Sequence, residues 1–272
     1  MSSVQRWEVL LRYRLIETFV QWEGRLTTNH LCSAFGIGRQ QASKDIQNYL
    51  KIAPNNLIYN PSKRGYEPSK SFSPQFTQGL ASEYLNLIHN NQTINGLLTT
   101  IPLPKCFTEV LTVPERKIKS DVLRPLIKAS REGMRIEVRY FSMNSPKGEQ
   151  RIIAPHTLVF CGLRWHVRAY CEKHRDYRDF VLNRISEVED GLGERLENPS
   201  EDADWHQKSQ LIITPNPNYS TDQQKLIARD YLMENNKLII CCRKAVVGYV
   251  MDRLGVKPAG DIGMSHLVLS VL

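Results

Sequence analysis

Apolar residues recur at helical spacing through the first fifty positions. Trp7, Leu11, Leu15 and Phe19 fall four apart, with Leu10 beside them, and predict one stripe on a helix from Val4 to Trp22 that Gly24 ends. A second helix is expected to open at Thr27 or Thr28, whose hydroxyl can cap free backbone amides. It runs through Leu31 and Ala34 to Phe35, and Gly36 turns the chain. A third helix, Gly38 to Leu50, sets Ala42, Ile46, Tyr49 and Leu50 inward and leaves Arg39, Gln40, Gln41, Ser43, Lys44 and Gln47 largely outward. Leu57-Ile58-Tyr59, a turn from Asn60 to Arg64, and Gly65-Tyr66-Glu67 then read as a β-hairpin with Lys63 and Arg64 at its tip.

Two short helices joined by a tight glycine turn, the second with a polar outer face, form the helix-turn-helix pattern, in which that helix enters the major groove of DNA. The hairpin is its wing. Arginine and glutamine make bidentate contacts to guanine and adenine edges, which suits Arg39, Gln40, Gln41 and Gln47 to base readout. Ser43 and Lys44 suit phosphate, the wing residues Lys63 and Arg64 suit phosphate or the minor groove, and Thr28 at the start of the preceding helix is a further DNA-binding candidate. The bland alternative is a three-helix bundle with a solvated polar face; the basic wing tip directly after the polar helix favours the DNA reading.

Past a junction at Phe72 to Pro74, Leu80, Tyr84, Leu87 and Ile88 keep helical spacing, and Pro102, Pro104 and Pro114 interrupt the next stretch of chain. A further helix is expected from a Ser120-Asp121 cap through Leu123, Leu126 and Ile127 to Arg131, closed by Gly133. The period then drops to two. Ile136, Val138 and Tyr140 share one face of a strand, a second strand spans Arg151 to Phe160, and Cys161-Gly162-Leu163 turns into a third. In that third strand Trp165, Val167, Ala169 and Cys171 point one way, with Trp165 read as core, and His166, Arg168 and Tyr170 the other, where they could line a polar site. A strand from Tyr177 to Leu182 carries Arg178 and leads to Asn183-Arg184-Ile185. Strand follows strand without crossover helices, so a small antiparallel β-domain is expected.

After an acidic, polar linker near Gly191 to Asp204 come a strand at Leu211-Ile212-Ile213, a helix from Thr221 to Tyr231, and a strand from Lys237 to Cys242. A helix from Val246 to Leu254 and a strand from His266 to Leu272 complete a small α/β domain. The chain thus reads as an α+β multidomain protein. Residues 1–72 form a winged helix-turn-helix, 73–118 a helical linker, 119–192 a β-domain and 205–272 an α/β extension.

The β-domain resembles the WYL-domain regulators, whose pattern is a Trp-Tyr-Leu-like strand followed by an Arg-x-Phe-x-x-x-Arg-Ile strand. The match is Trp165-His166-Val167 and then Arg178-Asp179-Phe180-Val181-Leu182-Asn183-Arg184-Ile185; His166 and Val167 depart from the usual Tyr and Leu. The order of domains is similar too, and the segment Arg164 to Cys171 resembles repressors encoded with phage-defence islands such as BREX and CBASS systems. The resemblance implies a small SH3-like or Sm-like barrel that senses a nucleotide or nucleic-acid effector, a C-terminal dimerisation domain, and a homodimer on an inverted repeat of double-stranded DNA. Guanidinium groups grip phosphate and aromatic rings stack on bases, so Tyr140, Ser142, His156, His166, Arg168, Tyr170, Arg178 and Arg184 are the candidate ligand residues. Against this stands the reading that Arg178 and Arg184 make structural ion pairs and that His156 and His166 are satisfied polar groups.

A net charge of +8 and a pI near 9.2 favour an anionic partner. No stretch has the eighteen apolar residues of a membrane span, and the opening MSSVQRWEVL lacks a signal-peptide pattern, so a cytoplasmic location is expected. The six cysteines include no CxxC pair and are expected to be reduced and mostly buried, Cys241 and Cys242 on an apolar strand. No GxSxG elbow, GxxxxGK[ST] phosphate loop, HExxH helix or zinc-spaced Cys/His set occurs, so catalysis, metal and cofactor lack support. A regulator leads; a single-strand nucleic-acid adaptor and an unrecognised hydrolase stand as alternatives.

Overall fold

The computed structural model describes residues 7–93, 109, 111, 116–256 and 265–271, and the chain divides into two compact units between Thr112 and Val113. Val4, Pro102, Pro104, Cys106, Pro114 and Leu272 lie outside the described residues.

In the first unit, α1 (Trp7–Thr18) continues as one π-helical turn (Phe19–Glu23) and stops at Gly24, whose φ of +68° suits only a residue without a side chain. Next come α2 (Thr28–Phe35), α3 (Arg39–Ile52), the hairpin strands β1 (Leu57–Asn60) and β2 (Gly65–Pro68), and α4 (Ala81–Thr93). Leu26 and Tyr66 exchange backbone hydrogen bonds of 2.8 Å, which adds the α1–α2 connection to the hairpin as a third short rung. The buried face of α1 is rotated from the predicted stripe. Trp7 is 69% exposed, while Tyr13, Leu15, Ile16, Phe19 and Val20 pack on Leu31, Ala42, Ile46 and Tyr49. Two overlapping i, i+4 rows run along this helix, and α2 and α3 settle against the one with less indole and more branched aliphatic surface.

Three charged groups are buried in this core. Arg12 Nε lies 2.7 Å from Asp45 Oδ2 and ties α1 to α3. Glu17, fully buried, accepts hydrogen bonds from the backbone N–H groups of Gln75 (2.7 Å), Phe76 (2.8 Å) and Thr77 (2.8 Å), and from the hydroxyls of Thr77 and Tyr49. A carboxylate with five donors keeps most of the stabilisation that water would give it. The same bonds fasten the segment before α4 to the helical core.

The second unit opens with α5 (Ser120–Glu132) and five antiparallel strands: β3 (Ile136–Tyr140), β4 (Glu149–Phe160), β5 (Trp165–Cys171), β6 (Asp176–Val181) and β7 (Ile185–Glu189). Their order is β6-β5-β4-β3-β7. One face buries Ile136, Val138, Ile153, Val167, Ala169 and Phe180 under Val122, Leu126 and Ala129 of α5. Trp165 does not join this core: it stands 46% exposed at the end of the β4–β5 hairpin, its ring centroid 5.0 Å from that of Phe160. It lies one layer beyond Val167, the last core position on its face.

A short helix, α6 (Ala203–His206), precedes the C-terminal part, where β8 (Lys208–Pro215), β9 (Leu238–Arg243) and β10 (Leu267–Val271) form an antiparallel sheet in the order β10-β8-β9. Helices α7 (Thr221–Asp230) and α8 (Val247–Leu254) cover it through Leu211, Ile213, Ile227 and Leu267. The cysteine expectation fails here: Cys241 is exposed and Cys242 half-buried, and only Cys171 of the described cysteines is buried. Successive side chains of β9 point to opposite faces of the sheet, and those of Ile239, Cys241 and Arg243 face outward. In the segment before β8 most side chains are exposed or half-buried, and Asp202 is 1% exposed.

Replacing Glu17 with Ala leaves three part-buried backbone amides without their acceptor. Local stability around Gln75 to Thr77 should fall by about 3 kcal/mol, read as faster amide exchange at those residues; unchanged exchange would show that water substitutes for the carboxylate.

Candidate nucleic-acid interface and ligand cavity

Helix α3 presents two faces. Ala42, Asp45, Ile46 and Tyr49 are buried, and Arg39, Gln40, Gln41, Ser43, Lys44 and Gln47 are exposed, as the spacing predicts. Arg39 and Lys44 have no ion-pair partner among the described residues. Gln41 donates from Nε2 to Asp45 Oδ1 at 2.9 Å, and Gln47 from Nε2 to the Tyr66 hydroxyl at 3.3 Å, so both amides are held by the scaffold. The Asp45 carboxylate therefore joins the Arg12 of α1 to an amide on the outer face of α3. Thr28 is half-buried as the first residue of α2, behind the capping residue Thr27, whose N–H lies 3.3 Å from His30 Nδ1. On the wing, Lys63 pairs with Glu67 at 2.5 Å, and Arg64 is exposed with φ of +48°. Asp45 and Glu17 escaped the sequence reading, although Asp45 sits one turn before Tyr49 on the inward row.

The candidate ligand residues do not form one site. Strand alternation divides them between the two faces of the sheet. On the α5 side, Tyr140, Ser142 and Arg178 line a cavity of about 370 Å³ together with Glu149, Arg151, Lys173 and His174. Glu149 bonds Arg151 and also Lys173, the latter at 2.6 Å, and Arg151 reaches His174, so these charges largely satisfy one another. Arg178 is half-exposed and lies 3.8 Å from Asp176, which leaves it the most available cation there. Tyr140 stands edge-on to Phe180 at 5.0 Å and its hydroxyl accepts from the Val181 N–H.

On the other face, His156, His166 and Arg168 are covered by the C-terminal part of the unit. The Arg168 guanidinium grips Asp202 through Nε at 2.6 Å and Nη2 at 2.7 Å, and its Nη1 lies 3.3 Å from Asp179. His156 Nε2 is 3.2 Å from the same Asp202 carboxylate. His166 is 2% exposed and stacks on Tyr249 of α8 at 4.8 Å, while the Tyr249 hydroxyl donates to Asp179 at 2.8 Å. Tyr170 packs edge-on against Tyr177, and Arg184 lies close enough to His166 to lower its proton affinity. Burial drives the pKa of both His156 and His166 below the ordinary imidazole value, against the opposing pull of Asp202 and Asp179 respectively. Burial alone would raise that of Asp202, but Arg168 outweighs it and holds the carboxyl below its ordinary value. Asp202, Trp205 and Tyr249 were missed because they belong to segments distant in sequence from the β-domain.

Residues 8–90 match the model of the BrxR transcriptional regulator winged helix-turn-helix domain, 121–190 that of the WYL domain, and 208–270 that of the BrxR C-terminal dimerization domain. The DNA-binding transcriptional repressor CapW of Pseudomonas aeruginosa is 34% identical over 254 residues, covering 92% of this chain and 83% of the relative. The chain belongs to the BrxR/CapW family of WYL-domain transcriptional regulators. CapW repressors of Escherichia coli and Stenotrophomonas maltophilia are similar at 33% and 30% identity, over 92% and 94% of this chain and 83% and 86% of theirs. Among solved structures, the proteasome accessory factor B/C of Arthrobacter aurescens aligns with 96% of this chain and 45% of its own at 14% identity and a TM-score of 0.29. BrxR/CapW proteins are DNA-binding transcriptional regulators and not enzymes. No helix among the described residues is long and apolar enough to cross a membrane.

The buried histidines give this regulator a pH dependence of known sign. Their folded pKa values lie below the unfolded value of 6.5, so the stability is present above that value and is lost as pH falls through it toward the folded ones. The melting temperature of the full chain should drop between pH 7.5 and 5.5, and less so in His166→Phe; an equal drop in both would remove His166 from the account.

Proposed function

We propose that this BrxR/CapW-family protein is a cytoplasmic, homodimeric repressor that occupies an inverted-repeat operator of a phage-defence operon. Its five-stranded WYL domain, read as an SH3/Sm-like barrel, senses a nucleotide or oligonucleotide. The observation that carries the DNA reading is the outer face of α3, where unpaired Arg39 and Lys44 flank Gln40 and Ser43 and the scaffold holds Gln41 and Gln47. Side chains already held in place lose less entropy on meeting a base edge. In this reading the two recognition helices of a dimer enter successive major grooves, with Thr28 and the wing residues Lys63 and Arg64 on phosphates. The net charge of +8 adds a long-range attraction to the same polyanion.

For the effector, the support is the cavity with Tyr140, Ser142 and Arg178. Its 370 Å³ falls near the lower end of the range of about 300–1,000 Å³ typical of small-molecule sites, which suits one nucleotide unit. An effector there regulates DNA binding only through a difference in its affinity for the DNA-competent and DNA-incompetent dimers.

Immunoprecipitation of the tagged protein from its host, followed by sequencing of the bound DNA, is expected to give a sharp peak over an inverted repeat upstream of its own operon. On that fragment Arg39→Ala should weaken binding by about 10-fold or more, the worth of one bidentate base contact of about 1–3 kcal/mol. Lys44→Ala should weaken it on all sequences and flatten the salt dependence by about one unit of slope. Diffuse enrichment with preferred binding of single strands would overturn the operator reading in favour of an adaptor.

A further inference from the structure

The segment from Asn198 to Gln207 straps the face of the WYL sheet opposite α5. The Asn198 carbonyl accepts from the Tyr177 hydroxyl at 2.7 Å, and Asp202 accepts from Arg168 and His156. Toward the dimerization domain, Arg243 donates to the Trp205 carbonyl at 2.6 Å and lies over its indole, and the Lys244 N–H donates to the Gln207 carbonyl at 2.9 Å. One short strap therefore joins the sensor sheet to the dimerization domain.

The groups beneath the strap have the chemistry of an anion site. A guanidinium with 7% of its side chain exposed offers its Nε and Nη2 in parallel, the geometry that grips a carboxylate or a phosphate equally. An imidazole offers a third donor, and its ring stands edge-on between Tyr177 and Trp205 with centroids 5.8 Å from each. The strap fills this site with its own carboxylate and indole. A buried ion pair returns little more than its desolvation cost, and apolar residues of the same volume would pack the interface as well. An arginine held by an internal acid can, in contrast, exchange that acid for an external one.

We propose that Asp202 is an internal stand-in for a phosphate group: a phosphate-bearing ligand takes the Arg168–His156 site, expels Asp202, and lifts the strap that links the WYL sheet to the dimerization domain. This rests on the reading of the WYL domain as an effector sensor, and it adds a second, phosphate-binding site on the face opposite the Arg178 cavity. Asp179 stays behind, bonded to Arg168 Nη1 and to Tyr249, and keeps the guanidinium oriented after Asp202 leaves.

The test is calorimetric titration of the full-length protein with inorganic pyrophosphate at fixed ionic strength. An open site populated at one-tenth or less weakens apparent affinity by about 10-fold or more. Asp202→Ala should therefore bind pyrophosphate at least about 10-fold more tightly than the wild type, and Asp202→Asn, which keeps the shape of the side chain and safeguards folding, should move the same way. Adding Arg168→Met should erase the gain, and Arg178→Ala should leave it intact. In the wild type, pyrophosphate should speed amide exchange at Trp205 and His206. The proposal is overturned if neither Asp202 variant gains affinity, or if the gain survives Arg168→Met. Binding that Arg178→Ala alone abolishes would also overturn it, while keeping the effector reading and moving it to the cavity.

Discussion

The ion pair of Arg168 with Asp202 is the interaction on which the second unit turns. Two charges leave water there, and either one alone would be costly: removing one partner of such a pair typically destabilises by about 3–5 kcal/mol. Asp202 meets that demand with two guanidinium bonds, an imidazole and the Trp205 N–H, and Arg168 with two carboxylates. Around this pair the strap lies on the sheet, and α8 brings Tyr249 over His166 and onto Asp179, which joins the dimerization domain to the WYL domain.

The first unit solves a similar problem with different groups. Glu17 is satisfied by backbone amides and Asp45 by Arg12. Asp45 ties α3 to α1, and Glu17 ties α1 to Tyr49 of α3 and to the segment before α4. Asp45 reaches further than the core, since it holds Gln41 on the outer face of α3. A mutation in the core beneath α3 would thus disturb its exposed row without touching it. In this chain that row stands on a helix packed through Ala42, Ile46 and Tyr49, and the hairpin after it is tied back by Leu26.

A ligand can regulate a protein of this kind only if the protein has two arrangements of comparable energy. The WYL sheet offers polar chemistry on both faces, with Arg178 beside an open cavity and Arg168 beneath a strap. Adjacent residues on β6, Arg178 and Asp179, serve opposite faces, so one strand joins the cavity to the contact with α8.

The amino-acid sequence alone determined most of the elements and the facing of α3 and of the middle of β5, but not the buried face of α1. Helical periodicity marked the outer row of α3, and alternation in Trp165 to Cys171 separated Val167 and Ala169 from His166 and Arg168. The Arg178-to-Ile185 pattern carried the family resemblance, which the matched WYL model bears out. Periodicity states which way a side chain points and not what covers it. Only the tertiary structure decided that the face with Arg168 is roofed by Asp202, thirty-four positions later, and by Tyr249, and that Trp165 stands past the core. Only the tertiary structure, again, paired Arg12 with Asp45 and wrapped Gln75 to Thr77 around Glu17. These are contacts between segments far apart in the chain. A buried charge reads in sequence like any surface charge until its partner is brought to it.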